Sequence, residues 1–310
     1  MHAAYTKGVP LSQDRLQAFA AVARAGSFTR GARTLHLSQP ALSRRISGLE
    51  EDLEAVLFAR GRGGATLTEA GQRLLDFVEA ERALEEELLG DLGPAPASYR
   101  GVVRIAGLTS LVPPVVLPAL APFLRRHPTV QIEVHRETDR HVFEALAAGR
   151  VDFGISQLPS ETPGIVDTYL GDEEFVVVES SAHPGRRDVF LDVSPTDATT
   201  ELFFASQPAR LRPRGRFARS FLHDEPGILL GVELGLGRAV KPRHTVPRDA
   251  AVRVDPTFAP VSKPVFLQVR RQRYYGRLHQ TISGLVESAV RDHLAAQRPP
   301  SPRRGTSASR

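Results

Sequence analysis

Four polar side chains with hydrogen-bonding chemistry fall close together near the start of the chain. One face of a helix, opposite a stripe of apolar residues, would carry Gln39, Ser43, Arg44 and Ser47. Glutamine pairs bidentately with adenine, arginine binds guanine or phosphate, and serine bonds to a base or to the backbone. The pattern fits the reading of DNA bases, and it also fits a solvated amphipathic helix whose serines are ordinary surface residues.

Three short helices are expected to position this polar face. Residues 11–24 place apolar side chains at helical spacing after Ser12, which is available as an N-cap. Gly26 then ends the first helix, and Ser27 is placed to cap a second helix over residues 28–35. A connection of only two residues leads to the third helix.

The third helix is predicted to begin at Ser38, a preferred cap residue. Pro40 is tolerated in its first turn because the missing N–H has no helical partner there. The buried stripe follows at intervals of four, three and four residues: Leu42, Ile46, Leu49 and Leu53. Two helices joined by a short turn, the second with no acid before Glu50, match what a DNA major groove requires.

A small β-ribbon, or wing, is expected after the three helices. Residues 61–64 contain three glycines between two short apolar pieces, which is typical of such a turn. Arg60 and Arg62 would lie on this wing, within reach of the minor groove beside the site. The sequence therefore predicts an all-α headpiece completed by a wing.

A long helix is expected from Thr68 to about residue 92. Its apolar positions alternate at spacings of four and three, interrupted by Glu81, and they are Ala70, Leu74, Phe77, Leu84 and Leu88. This pattern predicts a short coiled coil between two copies of the chain, with Leu74, Phe77, Leu84 and Leu88 in the seam. A helix packed on its own domain is the alternative.

The remainder of the chain alternates strands and helices after a Pro-rich hinge over residues 93–99. Strands are expected at 102–106, 130–134 and 151–156, with helices between them, and this order predicts a parallel α/β sheet. Further strands are expected at 175–178 and 265–269, with a closing helix over 274–294. The tail over residues 297–310, rich in Pro, Ser and Arg, is expected to be disordered.

The N-terminal motifs resemble one known family. Residues 19–30, 35–46, 49–53, 57–58 and 67–71 are similar to the signature of LysR-type transcriptional regulators, and the resemblance covers residues 11 to about 75. It implies that Gln39, Pro40, Ser43 and Arg44 contact DNA, and we expect Ser38 and Ser47 to complete that interface. It also implies a homodimer formed through the long helix, and a homotetramer built from such dimers.

From residue 100 onward the chain more loosely resembles the family's effector domain, which is similar to type 2 periplasmic binding proteins. The resemblance implies effector contacts at Thr109, Ser110, Thr138 and Gln157. Hydroxyls and helix N-termini can hold a carboxylate or phosphate, so an anionic effector is expected. Ordinary helix caps and loop residues with no ligand are the alternative.

Five segments follow from these patterns. We expect a winged helix-turn-helix at 11–68, a dimerisation helix at 69–92, a hinge at 93–99, an effector domain at 100–296 and the tail at 297–310. Within the effector domain, one subdomain would comprise about 100–175 and 262–296, and the other about 176–261. The fold class is therefore multidomain, an all-α winged headpiece followed by a two-subdomain α/β domain.

Charge is distributed unevenly along the sequence. The net charge is +5 and the isoelectric point is near 9.9. The first 70 residues hold nine basic against six acidic side chains, whereas residues 71–92 hold two against seven. Arginines without an acid also cluster at 210–219, which an anionic effector, a DNA backbone contact or a solvated basic strand would each explain. Arg238 and Lys241 stand where apolar residues are commoner.

Other classes of protein are disfavoured. The chain has no cysteine, and it shows no phosphate-binding glycine loop, no Gly-x-Ser-x-Gly elbow and no close histidine pair, so we expect no enzyme, metal site or cofactor. No signal or membrane segment is evident, which favours a cytoplasmic, nucleoid-associated regulator over an exported solute-binding protein. Its expected partners are double-stranded DNA, a small-molecule effector, a second copy and, for an activator, RNA polymerase. An effector-independent regulator with a vestigial sensor domain stays the alternative.

Overall fold

The computed structural model describes residues 11–59, 64–92, 99–137, 139–183, 186–212, 217–247, 251–272 and 274–297. The chain divides into two compact units. The first comprises Met1–Leu108, Ala119–Thr168 and Leu267–Val286, and the second comprises Thr109–Pro118, Tyr169–Phe266 and Glu287–Arg310. Within the described residues, no helix is long and apolar enough to span a membrane.

Three helices open the first unit: α1 (Gln13–Ala25), α2 (Phe28–Thr34) and α3 (Gln39–Asp52). Gly26 ends α1 in the left-handed conformation, and the Ser27 hydroxyl caps α2 by accepting from the Arg30 N–H, as predicted. Ser12 occupies the predicted N-cap position of α1, although its side chain makes no capping hydrogen bond. The helices share one core, which includes Leu16, Phe19, Leu42, Leu49 and Leu75.

The predicted wing and long helix are both present. Strands β1 (Phe58–Ala59) and β2 (Thr66–Leu67) pair antiparallel, and α4 (Glu69–Asp91) follows. The Thr68 hydroxyl caps α4 by accepting from the Gly71 N–H at 3.0 Å. Three helices, a two-stranded ribbon and a long helix thus form one continuous headpiece.

The acidic residues of α4 are largely paired rather than solvated. Arg24 and Arg82 approach the buried Glu79 carboxylate at 2.7 and 3.0 Å. Arg270 pairs with Asp76, and Arg277 reaches Asp91 at 2.6 Å. These partners come from the headpiece and from the α/β part of the first unit, so α4 is bonded to both.

A parallel sheet follows α4 in the first unit, as the strand and helix order predicts. It is formed by β3 (Gly101–Gly107), β4 (Val130–Arg136) and β5 (Phe153–Ser156), with α5 (Leu117–Arg126) and α6 (Asp139–Ala147) in the connections. β3 lies in the middle and pairs parallel with both neighbours. Gly107 ends β3 at a φ of 144°, and a Cβ there would lie 2.1 Å from the Ile155 carbonyl oxygen. The backbones of β3 and β5 therefore approach each other too closely for any side chain at this position.

The second unit is a mixed structure of strands and helices. Its elements include β6 (Ile165–Ser180), β7 (Val189–Asp192), α7 (Thr199–Ala205), β8 (Ala218–Phe221), α8 (Glu225–Glu233), β9 (Ala239–Pro242), β10 (Val252–Val254), β11 (Val261–Arg270) and α9 (Arg277–Ala296), of which β6, β11 and α9 also hold residues of the first unit. β6 pairs antiparallel with β9 and β10, while β7 and β8 pair parallel. β6 is far longer than the predicted strand at 175–178, and the closing helix begins at Arg277 rather than at residue 274.

The described parts of the basic stretch, residues 210–212 and 217–219, are only partly solvated. Arg219 donates to the buried Asp192 carboxylate at 2.5 Å and also pairs with Glu201. Arg212 donates to the backbone carbonyl of Gln207 at 2.9 Å. Arg214 and Arg216 lie outside the described residues. Of the three alternatives for this stretch, the solvated basic strand does not apply to Arg219, whose guanidinium is paired with acidic side chains of the fold.

A half-buried histidine in the second unit, His293, gives a pH prediction. Burial lowers the pKa of His293 below its ordinary value of 6.5, and the charge of His244, whose ring lies 4.8 Å away, lowers it further. The unfolded chain then takes up this proton more readily than the folded chain. We expect the free energy of unfolding to fall as the pH drops below about 6.5.

Denaturant titrations across a pH series measure this effect. His293→Gln should flatten the dependence, and His141→Gln, which changes a well-exposed histidine of the first unit, is the matched control. An equal slope in the wild type and the His293→Gln variant would contradict the prediction.

Candidate nucleic-acid interface and sensor residues

The polar face of α3 is presented to solvent. Gln39, Pro40, Arg44 and Ser47 are exposed and Ser43 is half-buried, and the Gln39 side-chain amide donates to the Ser43 hydroxyl at 3.1 Å. The opposite face, with Leu42, Ile46 and Leu49, is buried in the headpiece core. The side chains that the sequence singled out are thus brought together on one free surface.

A tight turn fixes the direction of α3. His36 adopts a positive φ of 54°, and the Leu37 N–H donates to the Ala32 carbonyl oxygen at 2.9 Å. The Ser38 hydroxyl then caps α3 by accepting from the Ala41 N–H. Because the turn is short and hydrogen-bonded, α2 and α3 are held at a defined angle, as helix-turn-helix proteins require.

Electrostatics distinguish Arg44 from its neighbours. Arg45 lies 3.5 Å from the Asp14 carboxylate, and Arg15 pairs with Asp52 at the other end of α3. Arg44 has no acid within ion-pair distance among the described residues. Its guanidinium is therefore free to bind an external anion or a base edge.

Two further arginines on the headpiece surface were not singled out from the sequence. Arg30 and Arg33 are exposed on α2, the helix that crosses the DNA backbone in helix-turn-helix proteins. Their spacing of three residues was the available signal, because it places both on one side of a helix. Arg60 and Arg62, predicted to act from the wing, lie outside the described residues.

The cap of α3 gives a stability prediction. Ser38→Ala removes the only side chain seen to satisfy an N-terminal N–H of this helix in the described headpiece, and we expect a loss of about 1 kcal/mol in the free energy of unfolding. Ser47→Ala, in the exposed middle of α3, should be neutral or slightly stabilising because alanine favours helix. Chemical denaturation measures the free energy of unfolding of both variants, and equal free energies would contradict a capping role for Ser38.

The apolar stripe of α4 divides into two parts. Leu74 is buried in the headpiece core, which is the packing that the alternative interpretation of this helix expected. Phe77, Leu84 and Leu88 are instead 48%, 54% and 58% exposed. A row of large apolar side chains therefore remains uncovered along the C-terminal part of the helix.

The expected effector residues follow the ends of strands. Thr109 and Ser110 form a half-buried turn shortly after β3, and Gln157 directly follows β5. The Gln157 N–H donates to the Asp139 carboxylate at 3.0 Å, at the start of α6. Thr138 lies outside the described residues. Each described residue thus occupies the kind of strand end where α/β sheets bind ligands.

A buried polar network beside Gln157 was not anticipated. The Ser156 hydroxyl lies 3.0 Å from the side chain of Gln268, which in turn donates to the Asp167 carboxylate at 2.6 Å and the Leu158 carbonyl oxygen at 3.0 Å. Ser156 and Gln268 are fully buried. The signal was a lone glutamine in the apolar strand predicted at 265–269, because buried polar groups need specific partners.

Two family models match this chain. Residues 13–72 match that of the bacterial regulatory helix-turn-helix proteins of the lysR family, and residues 96–291 match that of the LysR substrate binding domain. The probable HTH-type transcriptional regulator LrrA of Synechococcus elongatus is 32% identical over 82% of this chain and 87% of its own length. A probable hydrogen peroxide-inducible genes activator of Streptomyces viridosporus is 35% identical, over 56% of this chain and 55% of its own length.

Solved structures share the architecture. ArgP from Mycobacterium tuberculosis has a TM-score of 0.67 at 23% identity, covering 90% of this chain and 97% of that chain. LysG from Corynebacterium glutamicum with bound effector Arg has a TM-score of 0.66 at 19% identity, covering 91% and 99%. At these identities the likeness shows the fold, a helix-turn-helix headpiece followed by a periplasmic-binding-protein-like α/β domain, and it confirms the predicted fold class.

Proposed function

Because this chain belongs to the LysR family of bacterial regulatory helix-turn-helix proteins, we propose that it binds a promoter operator through α3 and that a small-molecule effector modulates this binding. The observation that carries the proposal is the exposed polar face of α3, on which Arg44 has no acidic partner in the described chain. A free guanidinium beside an exposed glutamine suits guanine, adenine and phosphate.

Footprinting on the DNA upstream of the chain's own gene and its divergent neighbour tests operator binding. We expect an extended site with two-fold related halves, engaged by more than one dimer. Protection that is absent from this region, and from a genome-wide selection of bound fragments, would contradict the proposal. The protected genes would also name the pathway under control.

Arg44→Ala is expected to weaken operator binding by about 1–3 kcal/mol, because one base or phosphate contact of a charged group is lost. Arg125→Gln, which removes an exposed arginine on α5, is the matched control. Electrophoretic mobility shifts at fixed salt measure both, since charge effects on DNA affinity depend on ionic strength. Equal affinities for the two variants would exclude Arg44 from the interface.

We infer that self-association uses the uncovered stripe of α4. Phe77, Leu84 and Leu88 lie on one helical face, and a second copy of the same face would cover them. Leu74 was also predicted in the seam. It would act indirectly, by packing in the headpiece core against which the N-terminal part of α4 lies. A homotetramer made of two such dimers is the assembly that the extended operator site would require.

We also propose that Thr109, Ser110, Thr138 and Gln157 contact the effector jointly, and that the effector is anionic. Three of them lie in half-buried strand-end positions, and hydroxyl and amide groups there can donate to a carboxylate or phosphate. A thermal-shift panel of metabolites tests this, because an effector at 100 times its Kd adds about 2.7 kcal/mol of stability. Unchanged inducer-dependent DNA binding in a Thr109→Ala, Thr138→Ala variant would overturn the assignment.

Oxidation of a cysteine is excluded as the signal. One relative is described as a probable activator of hydrogen peroxide-inducible genes, but this chain contains no cysteine in its 310 residues. Thiol oxidation and disulfide formation are therefore unavailable to it as chemistry.

We propose that the chain acts on chromosomal DNA at the nucleoid. RNA polymerase would be a further partner if the chain activates transcription.

A further inference from the structure

A cavity of about 590 Å³ lies within the first unit, away from the residues proposed above to contact DNA or effector. One face of α1 forms a wall with Gln17, Ala21 and Arg24, which are spaced at helical intervals. One face of α4 forms a second wall with Glu81 and Arg82. The α1 wall includes small side chains, Ala20, Ala21 and Ala25.

Regular structure of the α/β part forms the third wall. Arg104 on β3 and Glu133 on β4 are neighbours in register and pair at 2.9 Å. His135 lies two residues beyond Glu133 and therefore on the same side of β4, and Arg150 completes this wall. Helices and paired strands hold the cavity open, and its volume is in the range of small-metabolite sites.

Several nitrogen donors on the cavity residues are unused. Arg24 Nε and Arg82 Nε are buried with no hydrogen-bond partner in the described chain, and the buried His135 Nε2 lies 3.7 Å from the Glu133 carboxylate, beyond hydrogen-bond distance. Arg150 has no ion pair among the described residues. Buried donors nearly always have an acceptor in native proteins, so nitrogens left without one beside a cavity favour an ordered water or a ligand there that accepts hydrogen bonds.

A buried carboxylate holds two of these side chains in place. Glu79, only 6% exposed, lies 2.7 Å from one terminal nitrogen of Arg24 and 3.0 Å from one of Arg82. Burial alone would raise the pKa of Glu79, but the charges of Arg24 and Arg82 outweigh it and keep the pKa below its ordinary value. The ion pairs fix both guanidinium groups through their ends and leave the Nε atoms free.

Negative charge on the cavity walls disfavours a long polyanion as the ligand. Glu81 and Glu85 also face the cavity, and their carboxylates would repel an extended polyanion such as nucleic acid. A compact ligand avoids that repulsion and still reaches the arginines. We propose that this cavity is a second ligand site, which binds a compact oxyanion, a phosphate ester or a small carboxylate, through Arg24, Arg82, His135 and Arg150.

The site adjoins the segment that orients the DNA-reading helix. Thr34 and Leu35, at the end of α2, line the same cavity. They directly precede the His36 turn that leads to α3. A bound oxyanion would therefore stiffen the connection between the two helices of the headpiece, independently of the proposed effector residues.

Calorimetric titration of the full chain tests the site, with inorganic phosphate and succinate as probes and sodium chloride at matched ionic strength as the blank. Four variants are compared with the wild type. Arg150→Gln removes an unpaired cavity cation, and Ala21→Leu fills the space. Arg125→Gln is the charge control on the exposed face of α5, and Thr109→Ala, Ser110→Ala alters the proposed effector residues. Unfolding curves confirm that each variant is folded.

We expect saturable binding in the wild type that persists in Arg125→Gln and in Thr109→Ala, Ser110→Ala, whatever the proposed effector residues bind. Arg150→Gln should bind about tenfold or more weakly, as loss of a charged hydrogen bond implies, and Ala21→Leu should not bind. The tighter probe identifies the ligand as phosphate-like or carboxylate-like. Binding by neither probe, equal binding by all variants, or binding lost only in Thr109→Ala, Ser110→Ala would each overturn the inference.

Discussion

A Leu84→Glu, Leu88→Glu variant is expected to be monomeric and to bind operator DNA at least about a hundredfold more weakly than the wild type. Both leucines are more than half exposed on α4, and the double change places two carboxylates in the proposed seam. Each headpiece would then bind its half-site alone. Linking two binding modules typically raises affinity by a factor of about 10² to 10⁴, and that gain would be lost.

Sedimentation and titration of a two-half-site operator measure the two effects together. Leu202→Glu is the matched control, since Leu202 is 54% exposed on α7 and lies outside the proposed seam. Affinity for a single half-site should stay the same in all three proteins. A dimeric double variant with normal operator affinity would exclude the α4 stripe as the dimer interface.

Gly107→Ala is expected to destabilise the α/β domain by more than about 3 kcal/mol. The new Cβ would lie 2.1 Å from the Ile155 carbonyl oxygen, and the φ of 144° is unfavourable for any L side chain. The strands β3 and β5 would separate at the end that leads to Thr109. We therefore expect effector-dependent stabilisation to disappear while the headpiece still folds.

Two glycine controls separate the causes. Gly164→Ala keeps a positive φ of 84° with no atom within 4 Å, so it reports backbone strain alone. Gly284→Ala, within α9 and equally uncrowded, should stabilise by about 0.5–1 kcal/mol through helix propensity. Denaturant titrations measure the free energy of unfolding of the three variants. If Gly107→Ala lowers it no more than Gly164→Ala does, crowding by the Ile155 carbonyl oxygen is unimportant.

Local signals explain why the headpiece was predictable from sequence. Ser27, Ser38 and Thr68 all cap helices through their side chains, and Gly26 adopts the left-handed conformation that ends α1. Capping and apolar spacing depend on residues only a few positions apart. The buried faces of α1 and α3 were therefore predicted correctly from the sequence, and the predicted ends of both helices lie close to the observed ones.

Long-range pairing explains what the sequence did not reveal. β6 was predicted as four residues because Asp172, Glu173 and Glu174 interrupt its apolar pattern, yet Glu173 is fully buried against His244 at 2.7 Å. The acidic stretch of α4 likewise finds arginines more than fifty residues away, such as Arg24 for Glu79. Burial of a charge depends on a partner that no local pattern supplies.

Helix α4 is bonded at both ends of its length, which gives it the mechanics of a stiff lever. Its 23 residues span about 34 Å. The core around Leu74 and the pair of Asp76 with Arg270 anchor its N-terminal part, and the pair of Asp91 with Arg277 anchors its C-terminal end. A tilt of about 10° would displace the headpiece by about 6 Å, nearly two base-pair steps of about 3.4 Å. In a dimer, a small rotation of α4 would thus change the distance between the two headpieces, and with it the half-site spacing that they can bind.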